Sequence, residues 1–194
     1  MCDCDEEKFE YEFNTSEITT IQFSEGITEI GKKCFSNFEN LQNVEFAESI
    51  ESIKQNAFEN TGITQLSFSN NIKEIEERVF QGCHNLFIIS FNSESNIKSI
   101  GKKAFSNCKA LSFISFPKQL EKFDSEMFEG SDNINIISID LSNKYFIVDE
   151  NYVLFSKDKK KLIYSRILHL SKWRNSTIRH FSPSGKIKII KILN

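Results

Sequence analysis

IGKKCFSNF at residues 30–38 and IGKKAFSNC at residues 100–108 agree in seven of their first eight positions, 70 residues apart. Two near-identical octets mark either a site used twice or a scaffold unit, and the lines around them decide between these. Working outward, ITTIQF (18–23), LQNVEF (41–46), ITQLSF (63–68), LFIISF (86–91), LSFISF (111–116) and INIISI (134–139) share apolar residues at positions one, four and six. Their first residues are separated by 23, 22, 23, 25 and 23. A period in that range is the signature of a solenoid of stacked supersecondary units.

The rest of the unit repeats as well. An apolar pair three residues apart follows each of the first five lines: Ile27 and Ile30, Ile50 and Ile53, Ile72 and Ile75, Ile97 and Ile100, Leu120 and Phe123. A slim residue then precedes Phe at Cys34–Phe35, Ala57–Phe58, Val79–Phe80, Ala104–Phe105 and Met127–Phe128. These slots and the line ends hold five Phe each, together ten of the 19 Phe, in a chain with two Pro and one Trp. The β-branched and aromatic lines fit strands, and the GKKAF slot fits one helical or 3₁₀ turn that drops Phe inward. No coil buries its apolar edge alone, so the strands of neighbouring coils must pair. The expected fold is a mainly β solenoid with short helical or 3₁₀ turns, one curved sheet of stacked strands, and a hairpin cap at its C-terminal end.

Four segments follow. Residues 1–17 read as an N-terminal cap in which Phe9, Tyr11 and Phe13 alternate with Glu10 and Glu12. Residues 18–139 hold about six coils. Residues 140–165 form a hairpin module, with DEN and KDKK as its turns. Residues 166–194 are a basic tail or a degenerate, truncated repeat, since Phe181, Ile187 and Ile190 keep the spacing of Phe91, Ile97 and Ile100.

These units resemble the BspA-like leucine-rich repeats of bacteria and of parasitic protists such as trichomonads. The family pattern, LxxIxF followed by IxxIgxxAFxxC, stands here as LFIISF with IKSIGKKAFSNC and as ITQLSF with IKEIEERVFQGC; the segment SNKYFIVDENYVLFSKDKKKLIYS is similar to the family's hairpin module. Cys34 departs from it in the Ala slot, and Phe38 holds the slot of Cys83 and Cys108. The resemblance implies a non-catalytic protein-interaction scaffold without cofactor, of the adhesion type found on cell surfaces or secreted.

Composition adds limits. No apolar run approaches the roughly 18 residues of a membrane span, and MCDCDEEKFEYEF is acidic where a signal peptide is basic and then apolar. The residues alone therefore point to the cytoplasm, and the resemblance points to the surface. The charge of −3 conceals ten Lys or Arg and no acid from Lys159 onward, against 14 basic and 27 acidic residues before it. Such a tail binds an anionic polymer or membrane surface, or lies on its own acidic body.

Candidate chemical sites yield to packing. Cys34, Cys83 and Cys108 fit slim buried slots better than metal or redox roles, and Cys2 and Cys4 lack further ligands nearby. His84, His169 and His180 share no spacing with a nucleophile or carboxylate. Gly31 and Gly101 open no phosphate loop; a coil corner with positive φ or close backbone approach explains them better. The sequons at Asn14 and Asn175 matter only in a secreted chain. Inward Phe slots argue against nucleic-acid stacking.

The outward strand positions are more informative. Position three runs Thr20, Asn43, Gln65, Ile88, Phe113 and Ile136, changing from polar to apolar. Position five ends in Ser90, Ser115 and Ser138, and Phe87 stands at the edge. An exposed apolar ladder of this kind marks a contact with a protein partner. The alternative is a structural spacer of a longer array, its ladder covered by residues 166–194 with Ile167, Leu168, Leu170 and Trp173.

Overall fold

The computed structural model describes residues 14–124, 126–150 and 152–164, and the backbone of the strands Thr177–Phe181 and Ile187–Lys191. Each repeat line supplies one strand and each apolar pair a second, shorter one. In chain order these are β1 (Thr20–Gln22) and β2 (Glu29–Ile30), β3 (Asn43–Glu45) and β4 (Ser52–Ile53), β5 (Gln65–Phe68) and β6 (Glu74–Ile75), β7 (Ile88–Phe91) and β8 (Ser99–Ile100), and β9 (Phe113–Phe116) and β10 (Lys122–Phe123). β11 (Ile136–Ile139) begins a sixth coil. All pairing between coils is parallel.

Two ladders run along the solenoid. The short strands pair without interruption in the order β2–β4–β6–β8–β10. The long strands pair as β1–β3 and as β5–β7–β9–β11, with an opening between β3 and β5. The short extended piece of each unit is thus a second ladder in its own right. Lys54 ties its surface together, 3.1 Å from Glu29 and 3.0 Å from Glu76. Both carboxylates, Glu76 first, hold the Lys54 ammonium above its usual pKa, and Lys54 lowers that of Glu29.

The interior explains the repeated Phe. One column, Phe35, Phe58, Phe80, Phe105 and Phe128, stacks ring on ring at 5.3, 5.4, 5.5 and 6.3 Å. The line-ending column, Phe23, Phe46, Phe68, Phe91 and Phe116, stacks beside it at 6.1, 5.4, 4.7 and 6.3 Å. Edge-to-face contacts join the columns at Phe23–Phe35, Phe46–Phe58 and Phe68–Phe80. A ring repeated once per coil meets its own copy about one strand spacing away, which is why the sequence keeps returning to it.

The slots expected as helical or 3₁₀ turns keep the i→i+3 bond and do not propagate it. Cys34, Ser36 and Phe38 donate their N–H groups to the carbonyls of Gly31, Lys33 and Phe35. The N–H groups between them, on Lys33, Phe35 and Asn37, donate to Gln55, Ala57 and Glu59 of the next coil. Alternate donors serve the neighbour, so no helix extends; Thr15–Glu17 is the 3₁₀ helix of the described residues. Such turns need positive φ at fixed points, and Asn37, Asn60, Gly82, Asn107 and Gly130 supply one column of them. The other column falls on Lys33, Asn56, Arg78 and Lys103, with φ between 55° and 59°.

The glycines of the two octets therefore act differently from one reading offered above. Positive φ lies two residues beyond them, at Lys33 and Lys103. Gly101 is a close approach: a Cβ there would sit 2.7 Å from the Glu76 carbonyl carbon.

After β11 the chain forms an antiparallel meander of β12 (Phe146–Val148), β13 (Leu154–Ser156) and β14 (Leu162–Tyr164). Leu154 and Tyr164 are buried against the coil core. Further on, β15 (Thr177–Phe181) and β16 (Ile187–Lys191) pair antiparallel with Phe181 opposite Ile187, whereas the Phe91 that it matches in spacing pairs with Phe68 of the coil before.

Candidate interaction face

The outward ladder has the register its alternation implies. Gln65, Ile88, Phe113 and Ile136 are successive partners across β5, β7, β9 and β11. Beside them Ser67, Ser90, Ser115 and Ser138 form a second row of partners. Inward Ile89, Ile114 and Ile137 are buried, so the strand period of two leaves the ladder facing out. Ile88 and Phe113 are half-buried by their neighbours in the row, while Ile136 is 39% and Phe87 52% exposed. Ser90, Ser115 and Ser138 are half-buried too and Ser67 is exposed, and the Ser90 hydroxyl donates to the Leu66 carbonyl at 3.4 Å.

Where β3 and β5 part, a recess of about 440 Å³ lies between the polar and apolar halves of this face, lined in part by Asn43, Glu45, Gln65, Ser67, Ile88 and Ser90. At the other end the apolar surface continues past the ladder. Leu141 is 96% exposed, and Tyr145 and Tyr152 are close to half exposed. A groove of about 230 Å³ beside β11 is lined by Ile139, Leu141, Phe146, Val148 and Tyr152, among others. All of these but Ile139 lie outside the six-position line, so its alternation could not select them. Leu141 stands out because the Asp140 carboxylate accepts from the Ser142 N–H and hydroxyl across it, a tight turn with Leu141 at its tip. The same bonds lower the Asp140 pKa.

The cysteine slots are packing positions with a donor. Thr61, Cys83, Cys108 and Ser131 occupy one column of the turn slots and are buried. The Cys83 thiol lies 3.3 Å from the Phe58 carbonyl, that of Cys108 3.3 Å from Phe80, and the Ser131 hydroxyl 2.7 Å from Phe105. Burial pushes the Cys83 thiol up to about 11 and raises that of Cys108 well above its ordinary value. At pH 8 only about one Cys83 in a thousand is then a thiolate. In a thiol-labelling time course, Cys83 and Cys108 are expected to stay unmodified in the folded chain and to react within minutes in denaturant.

His84 is exposed, its Nδ1 2.9 Å from the Asn107 carbonyl. Cys2, Cys4, His169 and Asn175 lie outside the described residues. The Asn14 side chain bonds Ser16 and Glu17 of the 3₁₀ helix. Among the described residues no three His, Cys, Asp or Glu are placed to share a metal ion, and no helix is long and apolar enough to cross a membrane.

The repeat geometry has a counterpart in a family model, the BspA type leucine rich repeat region, which matches residues 9–135 and 87–191 in six copies. The chain belongs to the BspA-type leucine-rich repeat family. Solved structures of similar fold include the pneumococcal vaccine antigen PcpA, with 25% identity and a TM-score of 0.72 over 80% of this chain and 39% of that one. A leucine-rich repeat protein from Eubacterium ventriosum is 24% identical, with a TM-score of 0.68 over 78% of this chain and 40% of that one. The T. pallidum leucine-rich repeat protein is 21% identical, with a TM-score of 0.58 over 62% and 58%. The chain thus spans well under half the length of the first two. No curated protein matches its sequence. BspA-type repeats build a fold typical of protein-interaction and surface-antigen proteins, and generally a non-enzymatic scaffold.

Proposed function

We propose that the chain is a non-catalytic protein-recognition module whose partner docks on the outward face of β7, β9 and β11, through Phe87, Ile88, Phe113 and Ile136 with Ser90, Ser115 and Ser138 at its side. The observation that carries this reading is the registered row of apolar side chains on a face whose first half is polar. Each of these residues has apolar area left to bury, worth on the order of 1 kcal/mol apiece. Association costs exceed that sum, so the contact extends beyond the row, and Leu141, Tyr145 and Tyr152 offer the nearest further apolar area. Likeness to a vaccine antigen accords with an adhesion-type role in surface recognition.

The test is affinity capture with the intact chain, with Phe113→Asp/Ile136→Asp, and with Thr20→Asp on the polar half of the same face. Proteins held by the first and third and lost from the second, with the circular dichroism spectra unchanged, support the reading. A captured set that survives the double substitution removes the ladder as the site.

A further inference from the structure

The turn slots build a second surface, apart from the outward strand face. Asn56, Arg78 and Lys103 fall at one place in successive turns, and Glu59, Gln81 and Ser106 come three residues later. The N–H of each later residue donates to the carbonyl of the earlier one, which sets the two columns side by side. Together with Asn107 and Glu129 they line a groove of about 340 Å³ that crosses the second to fifth coils.

The ends of this groove are satisfied. Asn56 Nδ2 donates to Glu59 at 2.7 Å, and the Lys103 ammonium lies 3.0 Å from Glu129. Its middle keeps hydrogen-bonding capacity unspent. The Arg78 guanidinium, with five N–H donors, pairs with the Glu77 carboxylate at 3.2 Å. Gln81 Oε1 is buried and accepts no hydrogen bond among the described residues, so turning its amide into the groove forfeits none. Asn60 Nδ2 donates to Asn37 Oδ1 between the first two coils, but Gly82 and Gly130, in the same column on either side of Asn107, offer it no such amide. A Cβ on Gly130 would collide with Asn107 Oδ1, so that side chain lies over the glycine. Ser106 is 2% exposed, and its hydroxyl donates to the Lys103 carbonyl at 3.1 Å while its own lone pairs can accept.

Charge narrows the ligand. Glu59 and Glu129 balance Arg78 and Lys103, and both bases are already paired. An anion meets the two carboxylates and a cation meets the two bases, so neither is favoured. A neutral molecule rich in hydroxyls is, because each hydroxyl can accept from Arg78 or Asn107 and donate to Gln81 or Ser106. Adjacent coils lie about 4.8 Å apart, so four of them span roughly 14 Å, the reach of a short chain of sugar rings and not of one. Phe58, Phe80 and Phe105 are fully buried beneath the turns and give no ring to stack on. Affinity then comes from hydrogen bonds, for a dissociation constant of roughly 1–10 mM.

We propose that this groove is a binding site for an uncharged saccharide, held by Arg78, Gln81, Ser106 and Asn107. It is independent of the strand face, and either can fail without the other.

The test follows the backbone amide resonances of the isotope-labelled full chain during titration with neutral trisaccharides of glucose, mannose, galactose or N-acetylglucosamine, and with inorganic sulfate. One trisaccharide is expected to shift the amides of Arg78, Gln81, Ser106 and Asn107 and to saturate in the range given above. Arg78→Asn and Gln81→Ser take residues that the same columns already hold at Asn56 and Ser106, which preserves the turns. Each is expected to weaken binding about tenfold, with Lys33→Asn, in the first coil and outside the groove, unchanged. If one variant loses its dispersed spectrum, the other decides. No shift with any trisaccharide at about 100 mM, or shifts undiminished in the variants, overturns the proposal. Saturation by sulfate at lower concentration also overturns it and assigns the groove to an anion.

Discussion

Replacing Phe80 with alanine is expected to lower stability by about 4 kcal/mol, the cost of emptying a large core site that cannot collapse. Phe80 is fully buried, stacked between Phe58 and Phe105 at 5.4 and 5.5 Å and capped edge-on by Phe68. Its neighbours are held by the inter-coil bonds from Phe58 N–H to Val79 and from Phe80 N–H to Ala104, so they cannot move in to fill the gap. Energies in a solenoid are shared between adjacent repeats, and a break in the third coil uncouples the coils on either side. Thermal melting should shift down by about 10 °C and lose steepness. The same substitution at Phe35, half-buried at the end of the column, should cost less than half as much. Equal losses at the two positions would mean that the ring column is not the unit that couples the coils.

That contrast shows how much the sequence carried. A Phe recurring every 22 to 25 residues can only meet its own copies, so both ring columns follow from spacing before any coordinates. The outward row of Ile88, Phe113 and Ile136 follows equally from the strand period of two. The positive φ values at Lys33, Arg78 and Lys103 do not, because no basic side chain favours that region. They are imposed by the alternation of hydrogen bonds within and between coils, a tertiary effect. That Thr61 and Ser131 share the slot of Cys83 and Cys108 was also hidden. Read by hydrophobicity these are unlike residues, yet each is slim and carries a donor for a Phe carbonyl. On the candidate face, the opening between β3 and β5 and the exposed Leu141 escaped notice because both depend on how coils meet, and not on any one line.

Asn143 is the second position where a large loss is expected, and its effect should be local before it is global. The residue is 1% exposed and sits where parallel coils give way to the antiparallel meander. Its Nδ2 lies 3.2 Å from the carbonyls of both Pro117 and Lys118 and 3.0 Å from that of Leu120. Its Oδ1 accepts from the N–H groups of Tyr145 and Phe146, each at 2.8 Å. One amide thus satisfies the turn of the fifth coil and starts β12. Alanine would strand several of these groups at once, for about 3 kcal/mol at one to three per buried unsatisfied group after water reaches some of them. Aspartate is the sharper probe, nearly the same shape but with a carboxylate set against three carbonyl oxygens. At neutral pH it should be at least as harmful as alanine. Burial among carbonyls raises its folded-state pKa above the unfolded value, so stability is lost as pH rises through that range and partly regained in mild acid, where the protonated group can donate. Hydrogen exchange should quicken first across Phe146–Val148 and Leu154–Ser156, with the coils from β3 to β9 still protected. An aspartate variant as stable as the parent at pH 7 would show that this amide does not hold the meander to the solenoid.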